Sequence, residues 1–209
     1  NFSTVAVTSG NTVAFTDANA LDLGVSTISG TLTVNTNGAI TQSGPLSVAG
    51  ATTVAAGTTN NITLTNAAND FSTVGITSGN TVALADANAL DLGASTVAGT
   101  LSVTTAGAVT QSGALTVAGP TTVAAGAANN VTLTNAANDF STVGITSGNN
   151  VTLRDANALD LGASTVSGAL NVTANGAITD SGNVVVTGTT TLAAGAGNNI
   201  TLDSAGNNF

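Results

Sequence analysis

Any chemistry in this chain must come from aspartate, asparagine, serine and threonine, because almost no other reactive side chain is present. All ten acids are Asp and the only base is Arg154. Asp17 and Asp22 recur as Asp86 with Asp91 and as Asp155 with Asp160, each pair inside the word DANALDLG. Carboxylates set around a corner are ligands of the type Ca2+ takes, several oxygens at a time. Carboxylate pairs also hydrolyse glycosides, where one must sit in a cleft with a raised pKa. Three copies of one pair strung along a chain do not describe one cleft. Asp86 and Asn88 equally suit a turn closed on its own backbone, and Asp91, between Leu90 and Leu92, is expected to face water. The glycine-rich calcium nonapeptide of β-rolls is absent. The sequence therefore predicts no catalytic residue, no metal ligand and no cofactor, with Ca2+ the one ion the Asp pairs invite.

Composition excludes further classes. Without His or Cys there is no ordinary zinc site, no His-based triad and no thiol nucleophile. With no Lys and one Arg there is no P-loop lysine, no Schiff base and no basic patch, so nucleic acid is not an expected partner. No run of 18 apolar residues exists, so no membrane-spanning helix is expected. Charged residues are only 5% and the formal charge is −9.

Other polar groups invite weaker readings. The Asn pairs 60–61, 129–130, 149–150 and 198–199 suit a sugar-binding strip, or corners where Asn takes positive φ and stacks its amides in ladders; corners are the expectation. Asn61, Asn130, Asn150, Asn171 and Asn199 lie in N-x-T words, which this strand pattern produces anyway. Threonine rows would suit ice if Thr-x-Thr occurred on every rung, but it is intermittent. Arg154, where the other units have Thr16 and Ala85, is expected to be a solvated charge beside Asp155.

These residues sit in a repeat. Phe2, Phe71, Phe140 and Phe209 recur at one constant spacing, and units 2–70, 71–139 and 140–208 align without a gap. FSTVGITSGN at 71–80 recurs letter for letter at 140–149. The chain reads as one continuous solenoid over 1–209, a slice of a longer array. A shorter period runs within each unit. Ile76, Val103, Val123 and Ile145 hold equivalent places on successive rungs, which gives three rungs of mean length 23 per unit and about nine in the chain.

Each rung reads as strand. STVAV, TLTV, NITL and NVVV alternate with period two, Thr and Val dominate, and Gly, Asn-Asn or Ser-Gly breaks each run. TDANALDLG is the best helix candidate, and a corner followed by a strand is preferred. Short strands at a fixed rung length predict a parallel β-solenoid with three strands and three corners per turn. The inward set is predicted as Val74, Ile76, Val82, Leu84, Leu90, Leu92, Val97, Leu101, Val103, Val109, Leu115, Val117, Val123, Val131, Leu133 and Phe140. Phe occupies a wide inward corner of every third rung, and Phe15, Leu84 and Leu153 share one interior slot. Thr, Ser, Asn and Ala face outward. A rung cannot stand alone, so stability lives in the stacking interfaces, and the open ends are sticky edges.

The words TLTVNTNGAITQSGPLSV (31–48), TTVAAGAANNVTL (121–133) and SGALNVTANGAITDSG (167–182) resemble the haemagglutinin-type repeats of filamentous-haemagglutinin-like, giant secreted bacterial adhesins. The resemblance covers the whole chain. It implies a right-handed parallel β-helix, export to the extracellular space or cell surface, and a role as stalk, fibre or adhesive surface. The expected function is the structural repeat region of a bacterial fibre protein (filament, sheath or biofilm matrix) without catalysis. The rival is an adhesin stalk or surface contacting glycans or proteins of a host or neighbouring cell. Expected partners are copies of the chain, end to end or side by side, and a receptor in the rival case.

Overall fold

The computed structural model describes residues 1–209. It contains 25 short strands and no helix. Every strand pairing is parallel. Two long sheets, of 12 and 11 strands, run the length of the molecule, and a two-stranded piece covers one edge. Both long sheets turn their alternate residues into one shared core of 44 buried side chains. The protein is thus a parallel β-solenoid.

The first sheet begins at Thr4–Val5 and passes through Leu21–Leu23, Ile40–Gln42, Ile62–Leu64 and Val82–Asp86 towards Ile200–Thr201. The second begins at Val13–Asp17 and passes through Leu32–Thr36, Leu46–Ala55, Asp70–Ser78 and Leu90–Leu92 towards Thr190–Ala193. Short strands such as Ser26–Ile28 and Ser95–Val97 fill the edge between them.

The number of turns departs from the sequence reading. In the second sheet Val13 pairs with Leu32, Leu32 with Thr52 and Thr52 with Val74, which is three full turns. The chain then crosses to Val82 in the first sheet, and Val82 is the equivalent of Val13 one unit later. One unit is therefore three and a half turns. The chain makes about ten turns instead of nine, most of them shorter than the expected mean. The step from Ile76 to Val103 is not a turn: Ile76 stacks on Val54 in the second sheet, whereas Val103, Val123 and Ile145 stack in the first. Averaging over three rungs had absorbed the extra half turn. Successive units are consequently rotated by half a turn about the axis. At about 4.8 Å per turn the rod is roughly 50 Å long.

Burial follows the period of two. All sixteen residues predicted to face inward are in the core, including Phe140, and Phe71 is buried with it. Leu84 and Leu153 fill the shared slot, while Phe15 in the first unit is only half-buried. Phe2 and Phe209, on the outermost coils of residues 1–209, are 48% and 54% exposed.

The rule that polar residues face outward fails at identifiable places. Thr52, Thr121, Ser95, Asp86, Asn69 and Asn138 are all buried. Ser95 explains itself locally: its hydroxyl donates to the Gly93 carbonyl at 2.9 Å and accepts from the Ile76 N–H at 3.1 Å. It thereby closes a corner where strand geometry leaves backbone groups unpaired. The DANALDLG words form a bend followed by strand, as at Leu90–Leu92.

Two glycines have distinct physical duties. Gly126, in the AAG corner, has φ of +87°, a conformation that costs other residues dearly. Gly113 has an ordinary φ, but a Cβ there would collide with the Ala94 backbone nitrogen of the preceding turn.

Candidate functional site

The Asp pairs do not converge. Asp86, at the end of its strand, points inward and is buried. One carboxylate oxygen accepts the Phe71 N–H at 2.7 Å, and the other accepts the Asn88 N–H at 2.9 Å. Asp155 repeats this with Phe140 and Asn157. Burial pushes both carboxyls above the usual value of 3.8, partly offset by those backbone bonds. Asp17 has the same partners in Phe2 and Asn19, yet its pKa is lowered, because the Phe2 N–H outweighs a weaker desolvation on the terminal coil. Asp86 and Asn88 do form a turn on their own backbone, and Phe71 is an unforeseen second partner.

Asp91 lies on the outer side of its strand, and its partners come from the next turn. Thr110 donates to it at 3.1 Å, and the Ser112 hydroxyl donates to its other oxygen. Asp22 is held in the same way by Thr41 and Ser43, and Asp160 by Thr179 and Ser181. The hydroxyls of the TQSG and TDSG words thus clamp the aspartate of LDL one turn earlier. Within each pair one carboxylate serves the interior backbone and the other an outer hydroxyl row, so the geometry offers no shared ion site.

The principal polar centre was missed by sequence reasoning. Asn69 and Asn138 are each 0% exposed. Asn138 accepts from Leu115 N at 3.0 Å and Gln111 Nε2 at 2.8 Å, and its amide donates to Gln111 Oε1 at 2.9 Å. It also donates to the carbonyls of Leu133 and Arg154. Asn69 with Gln42 reproduces the arrangement. In the third unit Asp180 takes the glutamine's place and accepts from Asn207 at 2.7 Å. Burial opposes ionisation at Asp180, but bonds from Asn207, Asp203 and Ser204 hold its pKa below the usual value. The signal is present in the word NAAND, whose second Asn follows Gln42 and Gln111 at the same spacing. The more conspicuous Asn-Asn doublets mask it.

Those doublets occupy corners, as expected, though not through positive φ: only Gly57, Gly126, Gly195 and Gly197 adopt it. Asn60 and Asn129 instead donate to the carbonyls of Ala56 and Ala125, closing the glycine turn. Asn130 accepts from Asn149 at 3.3 Å across turns, an amide ladder that Asn61 repeats with Asn80. Asn61, Asn130, Asn150, Asn171 and Asn199 are all exposed.

The outer faces carry rows of small polar residues. On the first sheet Thr63, Ala83, Ser102 and Thr122 lie in register, as do Thr142, Asp160, Thr179 and Thr201. On the second, Thr73, Asp91 and Thr110 form one row, and Thr132, Thr152, Asn171 and Thr191 another. Arg154 is exposed on the second sheet, alongside Thr173. Its neighbour Asp155 points into the core, so the two do not share a surface. A polar cavity of about 210 Å³ lies among Thr16, Asp17, Asn35 and Asn37 on the first coil. At the matching place in the second unit, Ala87 bonds the Asn69 carbonyl and the preceding turn covers the aspartate.

The rotation and the rows are properties of a repeating unit, and comparison with known proteins finds that unit. A family model described as "Repeats of unknown function (DUF5649)" matches residues 10–78, 79–147 and 148–209. The chain belongs to this family. Each matched unit opens at Gly10, Gly79 or Gly148. Gly79 sits where the chain leaves Asp70–Ser78 in the second sheet for Val82–Asp86 in the first. No curated protein and no solved structure matches the chain.

Proposed function

We propose that this chain is the structural repeat region of a secreted or cell-surface bacterial fibre protein, forming filament, sheath or matrix and doing no chemistry. The observation that carries this reading is the unit itself. Each unit buries its apolar side chains and its Asn hub against the turns before and after it, so the fold extends by adding units and has no inherent length. The near-identity of the three units favours uniform extension over a single specialised site. The resemblance to haemagglutinin-type repeats supports export and a place among secreted adhesins.

The test is fractionation of the producing cells, followed by negative-stain electron microscopy of the native full-length protein. Recovery outside the cytoplasm as continuous filaments longer than one molecule is expected. Recovery in the cytoplasm would overturn the reading. The exposed hydroxyl and amide rows also fit glycan hydroxyls chemically, which favours an adhesin stalk as the second reading. Discrete rods of one length ending in a distinct tip would select it.

A further inference from the structure

Because successive units present the same residues on alternate sides, the two broad faces of the rod carry nearly the same hydroxyl rows. They differ in charge. On the outward side the first sheet carries Asp22, Asp139 and Asp160 with no cation, whereas the second carries Asp70 and Asp91 together with Arg154, the only base in the chain. The geometry points to a second copy of this chain as the occupant of these faces, with the first sheet of one copy packed on the second sheet of its neighbour. This deepens the fibre reading and rests on it.

Area and register both support the pairing. A face about 50 Å long and three to five residues wide, about 10–16 Å, offers roughly 500–800 Å². The upper end reaches the area of about 800 Å² per partner in a stable interface. Arg154 and Asp160 belong to one turn, on Val151–Asp155 and Leu159–Leu161 respectively. Copies displaced sideways without axial shift therefore bring Arg154 of one to the level of Asp160 of the next. Asp160 takes one bond from Thr179 and one from Ser181, and a carboxylate has lone pairs left for a guanidinium. Unlike faces joined by translation do not close, so the product is an open layer and not a dimer.

The experiment uses the 209-residue chain itself. In sedimentation velocity at constant ionic strength, the association constant should fall about tenfold in Arg154→Ala. The second unit has Ala85 at this position, so the variant is compatible with the fold, and far-UV circular dichroism verifies that. Thr122 and Thr132 lie on the two sheets within one turn, and the chain has no cysteine. With a short bis-maleimide, Thr122→Cys plus Thr132→Cys in one chain should give a ladder of multimers, and each single variant should remain uncrosslinked. Single variants that dimerise as fully as the double would overturn the unlike-face layer. A chain that is monomeric at every concentration would also overturn it, while the fibre reading stands or falls separately on fractionation and microscopy.

Discussion

Thr121 is 1% exposed and its hydroxyl has no hydrogen-bond partner; Thr52 repeats this one unit earlier. Thr121 stacks between Leu101 on the turn before and Val143 on the turn after, as Thr52 does between Leu32 and Val74. A buried unpaired hydroxyl costs about 1–3 kcal/mol, and the methyl that replaces it in valine contributes about 0.8 kcal/mol by burial. Thr121→Val keeps the β-branched shape, so it should raise the unfolding free energy by about 2 kcal/mol. In a chain of this size that is about 4–8 °C in Tm. The two sites are three and a half turns apart, about 17 Å, so Thr52→Val and Thr121→Val should add. The chain has no Trp or Tyr, so the assay is far-UV circular dichroism in urea and on heating. Thr121→Ser, which keeps the hydroxyl and loses the methyl, should destabilise by about 1 kcal/mol. A destabilised Thr121→Val would refute the reasoning, since it would mean the hydroxyl has a partner worth more than its desolvation.

Asn138→Ala removes the acceptor for Leu115 N and the donor to two carbonyls, and should cost roughly 3 kcal/mol or more in the same unfolding assay. Gly113→Ala places a Cβ against the Ala94 backbone and should perturb stacking enough to broaden or lower the melting transition. Gly126→Ala meets nothing nearer than 3.5 Å and should cost only the backbone strain, about 1–2 kcal/mol. Asp86 and Asp155 have pKa values raised by burial, so the folded state binds their protons before the unfolded state does. Their contribution is fully present below 3.8 and is lost as pH rises through the raised folded values. Mild acidification from neutrality should therefore raise Tm until it nears 3.8, below which the lowered values of Asp17 and Asp180 work the other way. A pH series of melting curves checks the sign, and Asp86→Asn with Asp155→Asn should flatten the first limb.

Much of the fold was legible because two signals in the chain are local. Alternation of Val, Ile and Leu with Thr and Ser specifies which side of a strand is apolar, and the sixteen inward residues follow from that alone. Identity of the units makes stacking in register the arrangement that pairs like with like. The outward side of Asp91 and the turn of Asp86 on Asn88 were legible for the same reason, since each follows from neighbours two residues away at most, whereas their bonds to Thr110, Ser112 and Phe71 were not. The hub of Gln111 and Asn138 was not, because its partners are far apart in the chain and meet only when the coil closes.

What the sequence determined by itself is the parallel solenoid, the threefold repeat and the lining of the core. The tertiary structure alone decided that a unit is three and a half turns, that alternate units face opposite ways, and which polar residues lie inside. The reason is that turn length is set in the corners. There a bend such as that after Leu64 adds residues that cross no sheet, and hydrogen bonds between turns determine where the next strand begins. The period of the letters counts residues, and only the closed coil converts residues into rotation.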